Sequence, residues 1–259
     1  VAVVGAIVAS SALDLPAPML REMMEGGMNG ASVKDVPHIL RSTLIAPYID
    51  GLDFVHALRR KGSWNGVDEA WRRTPTSTEQ ILHVEKWEQH ERPIAIEPPT
   101  AQALGAGWKL DDEDTFGELG FALTYEEWLP SAEARLAARD WGGDRSAIYV
   151  KGDEIAFAVH TRYDDASSGG AKGKADAYAT RGMAKLAQGL KKSLAVKPSI
   201  DTNDALCFER KELGPLLIAR RERDLVLIAG PAKNNAPTNA WSSTSTCAQA
   251  KRWADEIAR

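Results

Sequence analysis

Ser146-Ala147-Ile148-Tyr149-Val150 and Glu154-Ile155-Ala156-Phe157-Ala158-Val159-His160-Thr161-Arg162-Tyr163 flank the tripeptide Lys151-Gly152-Asp153. Apolar and β-branched residues run up to a glycine turn and away from it. That pattern predicts two antiparallel strands joined by a tight hairpin. The hairpin decides the fold class, because almost everything before it reads with the period of a helix.

Upstream, the methionines of Pro18 to Met28 are spaced for one helical face. Pro37 to Leu44 predicts a second helix. After Pro47-Tyr48-Ile49 and Gly51, Leu52 to Lys61 predicts a third, ended by Gly62. Ser63 or Asn65 is a candidate cap for a helix through Val67, Ala70 and Trp71. Thr76 as N-cap with Glu79 three residues on predicts a capped short helix carrying Ile81, Leu82, His83 and Trp87. Pro93 to Pro99 suits an extended edge segment, and Gly107 to Asp114 a polar connector. Thr115 to Leu123 and Tyr125 to Arg139 read as helices, and Asp140 to Arg145 as a glycine turn. In that turn the glycines would supply positive φ, with Asp144 and Arg145 locking it.

Downstream of the hairpin, Lys174 to Lys192 is an amphipathic helix. Ala205 to Lys211 and Pro215 to Arg221 predict a second strand pair, Asp224 to Gly230 a further strand, and Trp241 to Ala258 a closing helix. Segregated helices and strands imply an α+β protein: a helical N-terminal half, then an antiparallel sheet with two packed helices. The expected division is a mainly helical region 1–141 and an α+β region 142–259.

The chain has 259 residues, 44% hydrophobic and 26% charged, which excludes a disordered or fibrous chain. A net charge of −4 spreads no broad basic field, so nucleic acid is not an expected partner. Val1 to Leu15 is the longest apolar stretch; it is too short for a membrane span, which takes about 20 residues, and predicts a buried helix. The first residue is Val1 rather than Met, which reads as a processed chain or part of a longer one.

No phosphate loop, dinucleotide fingerprint or nucleophile elbow is present. The histidines His38, His56, His83, His90 and His160 form no His-Glu-x-x-His pattern. His83 stands out because Ser77, Thr78, Glu79 and Gln80 crowd the same proline turn. A histidine fixed there would suit donation to a developing oxyanion; a partly buried histidine of a capped helix is the alternative. Asp140 with Asp144 is a weak pattern for a cation, which would need six or more oxygens. Cys207 and Cys247 are either a disulfide or two buried thiols.

Pro47-Tyr48 with Gly51, Phe54-Val55, Pro75, the block Ser77-Thr78-Glu79-Gln80-Ile81-Leu82-His83 with Glu85-Lys86, and Trp141-Gly142-Gly143-Asp144-Arg145 form a set in fixed order. The set resembles a family of mostly uncharacterised exported bacterial proteins and lipoproteins regarded as gluzincin-type zinc metallopeptidases. The resemblance covers about residues 13–165 well, with departures at Val84, where the family commonly has Pro, and Trp87, where it commonly has Tyr. It implies peptide-bond hydrolysis by a parent protein whose His-Glu-x-x-His helix and later glutamate hold zinc upstream of this region. On that reading this chain holds no cofactor itself, and zinc comes only with the missing N-terminal part. His83, Tyr48 and Glu79 are then supporting catalytic candidates, and Gln80 and Trp87 candidates for substrate binding. The resemblance also implies an extracytoplasmic location and hence a Cys207–Cys247 disulfide, whose loop would contribute roughly 4 kcal/mol.

Two functions follow from different classes. The first is a portion of a zinc peptidase, acting on a peptide substrate, with a groove lined by His83, Glu79 and Tyr48. Its partner is the missing N-terminal part or another protein chain. The second is a non-catalytic exported binding or scaffold module, with a filled interior at His83 and an exposed apolar patch at Met19–Met28.

Overall fold

A computed structural model describes Met19, Met23 and residues 36–167, 174–236 and 238–259. The expected Val1–Leu15 helix, and the Met19–Met28 helix apart from Met19 and Met23, lie outside them; both of these methionines are helical and exposed. The chain divides into two compact units, Val1–Glu91 and Arg92–Arg259.

In the first unit, α1 (His38–Arg72) carries Pro47 and Gly51 inside the helix. The expected break there is absent. Ser42, Ala46, Asp50, Phe54 and Leu58 recur every four residues and are buried, with Ile45 and Ile49 beside them, so a buried stripe winds along the helix past the proline. Leu40, Leu44 and Tyr48 fall on the opposite side and are exposed. The break at Gly62-Ser63 does occur: Ser63 leaves the helical region at φ 55°, ψ −148°, and the chain resumes as a second helical stretch. Two short helices follow, α2 (Thr78–Leu82) and α3 (Val84–Glu88). Phe54, Leu58, Val67 and Trp87 form the apolar cluster that binds them to α1, with Phe54 and Trp87 meeting edge to face at 5.8 Å.

In the second unit a 3₁₀ turn (Gln102–Leu104) leads to β1 (Lys109–Asp114), α4 (Gly117–Tyr125) and α5 (Ser131–Ala138). The hairpin strands β2 (Trp141–Lys151) and β3 (Glu154–Tyr163) follow, with Gly152 at φ 58° in the turn. Then come α6 (Ala177–Ser193), β4 (Ile200–Asp201), β5 (Ala205–Phe208), β6 (Leu216–Arg221), β7 (Asp224–Asn235), β8 (Ala240–Ser243) and α7 (Cys247–Ile257). The protein is α+β. Among the described residues the sheet has eight strands in the order β1-β2-β3-β7-β6-β5-β4, with β8 also paired to β7, and every pairing is antiparallel.

The two-residue period sorts the strands cleanly. Val159, Tyr163, Leu206, Phe208, Leu216, Ile218, Leu225 and Leu227 face α4, α5 and α6. Ala156, Ala158, Cys207, Leu217, Val226 and Ile228 face α7 through Cys247, Ala250 and Trp253. The sheet is therefore covered on both faces, and α4 and α5 pack onto it together with the two expected helices. Cys207 and Cys247 form a disulfide with Cα atoms 5.8 Å apart, tying β5 to the first turn of α7. Thr246 and Gln249 close a capping box there.

The Gly107–Asp114 connector is instead the edge strand β1. All its side chains are exposed, and its acidic residues hide the strand pattern while protecting the sheet edge. The Trp141–Arg145 stretch is likewise already strand, and the turn precedes it, with Asp140 at φ 65°.

Candidate functional site

The Ser77–Lys86 block is built around a short capped helix. Ser77, one residue beyond the expected Thr76, is the N-cap, and its hydroxyl accepts from the Gln80 amide at 3.2 Å. The shift follows from Gln80, whose side-chain oxygen accepts from the Thr76 N–H at 2.9 Å while its amide nitrogen donates to the Glu91 carbonyl. Gln80 thus joins the entry of α2 to Glu91, three residues beyond α3, and is buried.

Glu79 is 3% exposed, and Lys86 answers its charge. The ammonium donates to Glu79 Oε1 at 2.6 Å and to Glu91 Oε1 at 2.8 Å. A pair this enclosed carries a large desolvation cost, and two carboxylates around one ammonium offset it by geometry.

Trp87 is the anchor of the small core. Its indole N–H donates to the Arg73 carbonyl at 2.9 Å, and Arg73 Nη1 donates to the Trp87 carbonyl. The Arg73 guanidinium also lies 3.9 Å from the ring centroid.

His83 stands between the two helices, ending α2 and starting α3, at φ −130° and ψ 87°. Its N–H donates to the Glu79 carbonyl at 2.8 Å, and its carbonyl accepts from Lys86 at 2.9 Å. Its backbone is thereby fixed, and its side chain keeps 18% exposure, with Nδ1 4.0 Å from Glu85 Oε1. The fold brings Glu79, Gln80, His83 and Trp87 together. Tyr48 sits on α1 with 59% exposure and makes no hydrogen bond to those four. Within either unit taken by itself, no three His, Cys, Asp or Glu ligand atoms among the described residues lie close enough together to share a metal ion.

In the second unit the Trp141–Arg145 motif holds an extended strap, residues 93–99, against the sheet. The Ile94 N–H donates to the Gly142 carbonyl at 2.7 Å. A Cβ on Gly143 would lie 2.1 Å from the Ile94 carbonyl oxygen, and one on Gly142 2.7 Å from the Ile94 side chain. Close approach, rather than positive φ, therefore demands these glycines. Asp144 turns inward to cap α4. Its carboxylate accepts from Phe116 N, Gly117 N and the Trp141 indole, each at 2.9 Å. Burial raises its pKa against the lowering effect of those three donors.

On the face toward α7, His160 Nε2 lies 2.8 Å from Asp224 Oδ1, and Arg162 donates to the same carboxylate through Nε at 2.8 Å and Nη2 at 2.9 Å. Burial would raise the Asp224 pKa, but the hydrogen bonds and charges of His160 and Arg162 hold it below the ordinary carboxylate range. This cluster was not singled out from sequence. Its one legible signal is that His160 and Arg162 are two apart on a strand and so share a face.

No family model, curated protein or solved structure matches the chain.

Proposed function

We propose that this chain is the portion of an exported zinc metallopeptidase that supplies a wall of the substrate cleft and the C-terminal α+β region. The zinc ligands, and the water activation they would provide, belong to polypeptide outside the described residues. The observation that carries the reading is the frame around His83. A capped turn, a partly buried Glu79–Lys86–Glu91 ion network and a Gln80 bridge all fix the backbone of a single partly exposed imidazole. Rigid support under one reachable hydrogen-bonding side chain is what oxyanion stabilisation needs. Glu79 and Lys86 are then positioning groups, Gln80 and Trp87 hold the frame together, and Tyr48 is a surface candidate for contact with the peptide.

The resemblance of the Ser77–Lys86 and Trp141–Arg145 motifs to exported gluzincin-type proteins supports the reaction class. The Cys207–Cys247 disulfide supports an oxidising compartment. No helix among the described residues is long and apolar enough to cross a membrane.

The test is His83→Ala in a parent protein that carries a His-Glu-x-x-His helix. Loss of one oxyanion donor should lower kcat about 100-fold or more with little change in KM. An unchanged rate of peptide cleavage, or a parent without that helix, overturns the reading.

A second reading, a non-catalytic binding module, draws on the exposed apolar side chains of α1. Leu40, Leu44 and Tyr48 repeat every four residues on one helical face and are 55%, 68% and 59% exposed. A parent that cleaves no peptide but captures a protein partner, and loses it on Leu44→Glu, would favour that reading.

A further inference from the structure

We infer that the second unit carries a separate ligand site, a cleft that takes a small zwitterion with an apolar side chain, such as a free α-amino acid. The cleft measures about 250 Å3 and opens between the strap, β3 and the end of α7. It is smaller than the roughly 300–1,000 Å3 of sites for drug-sized ligands, which restricts the occupant to a small molecule.

Its lining carries the Arg162 guanidinium, the His160 imidazole and two carboxylates, Glu256 and the exposed Glu97, and among the described residues Arg162 pairs with neither carboxylate. Arg162 spends Nε and Nη2 on Asp224, which fixes the plane of the guanidinium. Nη1 makes no hydrogen bond among the described residues, and the side chain keeps 39% exposure. Glu256, on α7, spends Oε1 on the Thr100 hydroxyl and the Gln102 N–H, and its Oε2 makes no hydrogen bond among the described residues. Both residues line the cleft, yet no ion pair joins them. A ligand carrying a carboxylate and an ammonium would satisfy both at once: the carboxylate on Arg162 Nη1, the ammonium on Glu256 Oε2.

The surroundings favour the same orientation. α7 is an 11-residue helix that ends at Ile257, and the partial negative charge of its last carbonyls favours an ammonium beside Glu256. Ile96, Pro98 and Ile257 supply apolar wall for a side chain. The walls are braced: Tyr149 donates to the Pro99 carbonyl at 2.7 Å, and the Trp253 indole donates to the Thr100 carbonyl at 2.6 Å. A braced cleft loses little entropy on binding. This inference is independent of the peptidase reading.

The experiment is calorimetric titration of the 259-residue chain with L-leucine, L-leucinamide and N-acetyl-L-leucine. The amide lacks the carboxylate and the acetyl compound lacks the ammonium. L-Leucine should bind at least about tenfold more tightly than either, because each analogue leaves one charged group of the site unanswered. Glu256→Gln should weaken L-leucine about tenfold or more and leave N-acetyl-L-leucine unaffected. Because Glu256 also holds the strap, the unaltered protein is titrated in parallel by NMR, where L-leucine should shift the Arg162 side-chain Nε–H resonance. Equal binding of the three compounds, no heat with L-leucine up to about 20 mM, or shifts confined to other residues overturns the proposal.

Discussion

The two units stabilise themselves by different means. The second has a sheet with apolar layers on both faces, and its large fully buried side chains include Trp253, Tyr163, Phe208 and Leu217. The first, among its described residues, has a small cluster of Phe54, Leu58, Val67 and Trp87, and beside it a frame of hydrogen bonds and charges. Apolar burial is non-directional, so it tolerates displacement of any one partner better than a polar frame does. Hydrogen bonds and ion pairs fix positions, and an unmatched member is costly. Around His83 the polar frame fixes the backbone position, a task for which directional bonds are more exacting than apolar burial.

Four measurements break or sharpen that contrast. The largest effect is expected from the tryptophans. Trp253→Ala should cost about 4 kcal/mol in urea unfolding and loosen α7 and the strap. Trp87→Ala should cost about 3 kcal/mol, with hydrogen exchange accelerating in α1 to α3 and not in the sheet. Equal exchange changes throughout the chain would dissolve the distinction between the units.

Gly143→Ala comes next. The added methyl meets the Ile94 carbonyl, a backbone atom that cannot rotate away, so a cost of about 2–3 kcal/mol is expected. A turn glycine adopting positive φ would also suffer from alanine, but only the close approach makes Ile94 amide exchange rise with it.

Lys86→Met should cost about 2 kcal/mol, because it removes the ammonium between two carboxylates, one of them buried. Its diagnostic is a change in His83 ring resonances at constant overall fold. Unshifted resonances would detach the ion network from His83.

The smallest effect is a pH dependence within the second unit. Asp224 is depressed on folding, so its stabilisation is complete above the unfolded value near 3.9 and fades as pH falls through its lower folded value. Asp144 is raised on folding, so its contribution runs the other way, with stability decreasing as pH climbs from about 3.9 through its folded value. Urea midpoints between pH 2 and 6 should therefore show a shallower acid loss in Asp224→Asn and a steeper one in Asp144→Asn. Identical profiles for the two variants would refute the assignment.

Local pattern and tertiary structure divided the work unevenly. The Lys151–Asp153 hairpin, the α6 segment, the break at Gly62-Ser63 and the α+β class were all readable in the sequence. Each depends on residues close in the chain: a turn glycine, a two- or four-residue period, a cap. Of the candidate groups, the clustering of Glu79, Gln80, His83 and Trp87 was legible for the same reason, since they share a segment of nine residues.

Other features needed partners far along the chain. Pro47 and Gly51 continue a helix because a buried face spans them, and propensity alone argued for a break. β1 is a strand because β2 offers it a hydrogen-bonding edge; its acidic run carries no strand signature. Gly142 and Gly143 announce a special backbone position, but only the strap shows that the reason is contact. The His160–Arg162–Asp224 cluster forms because β3 and β7 pair in register, opposing Arg162 to Asp224 across the ladder. The sequence by itself determined where the chain turns and which residues prefer to be inside. The tertiary structure decided which distant charges meet, because register and face are set by packing the whole sheet.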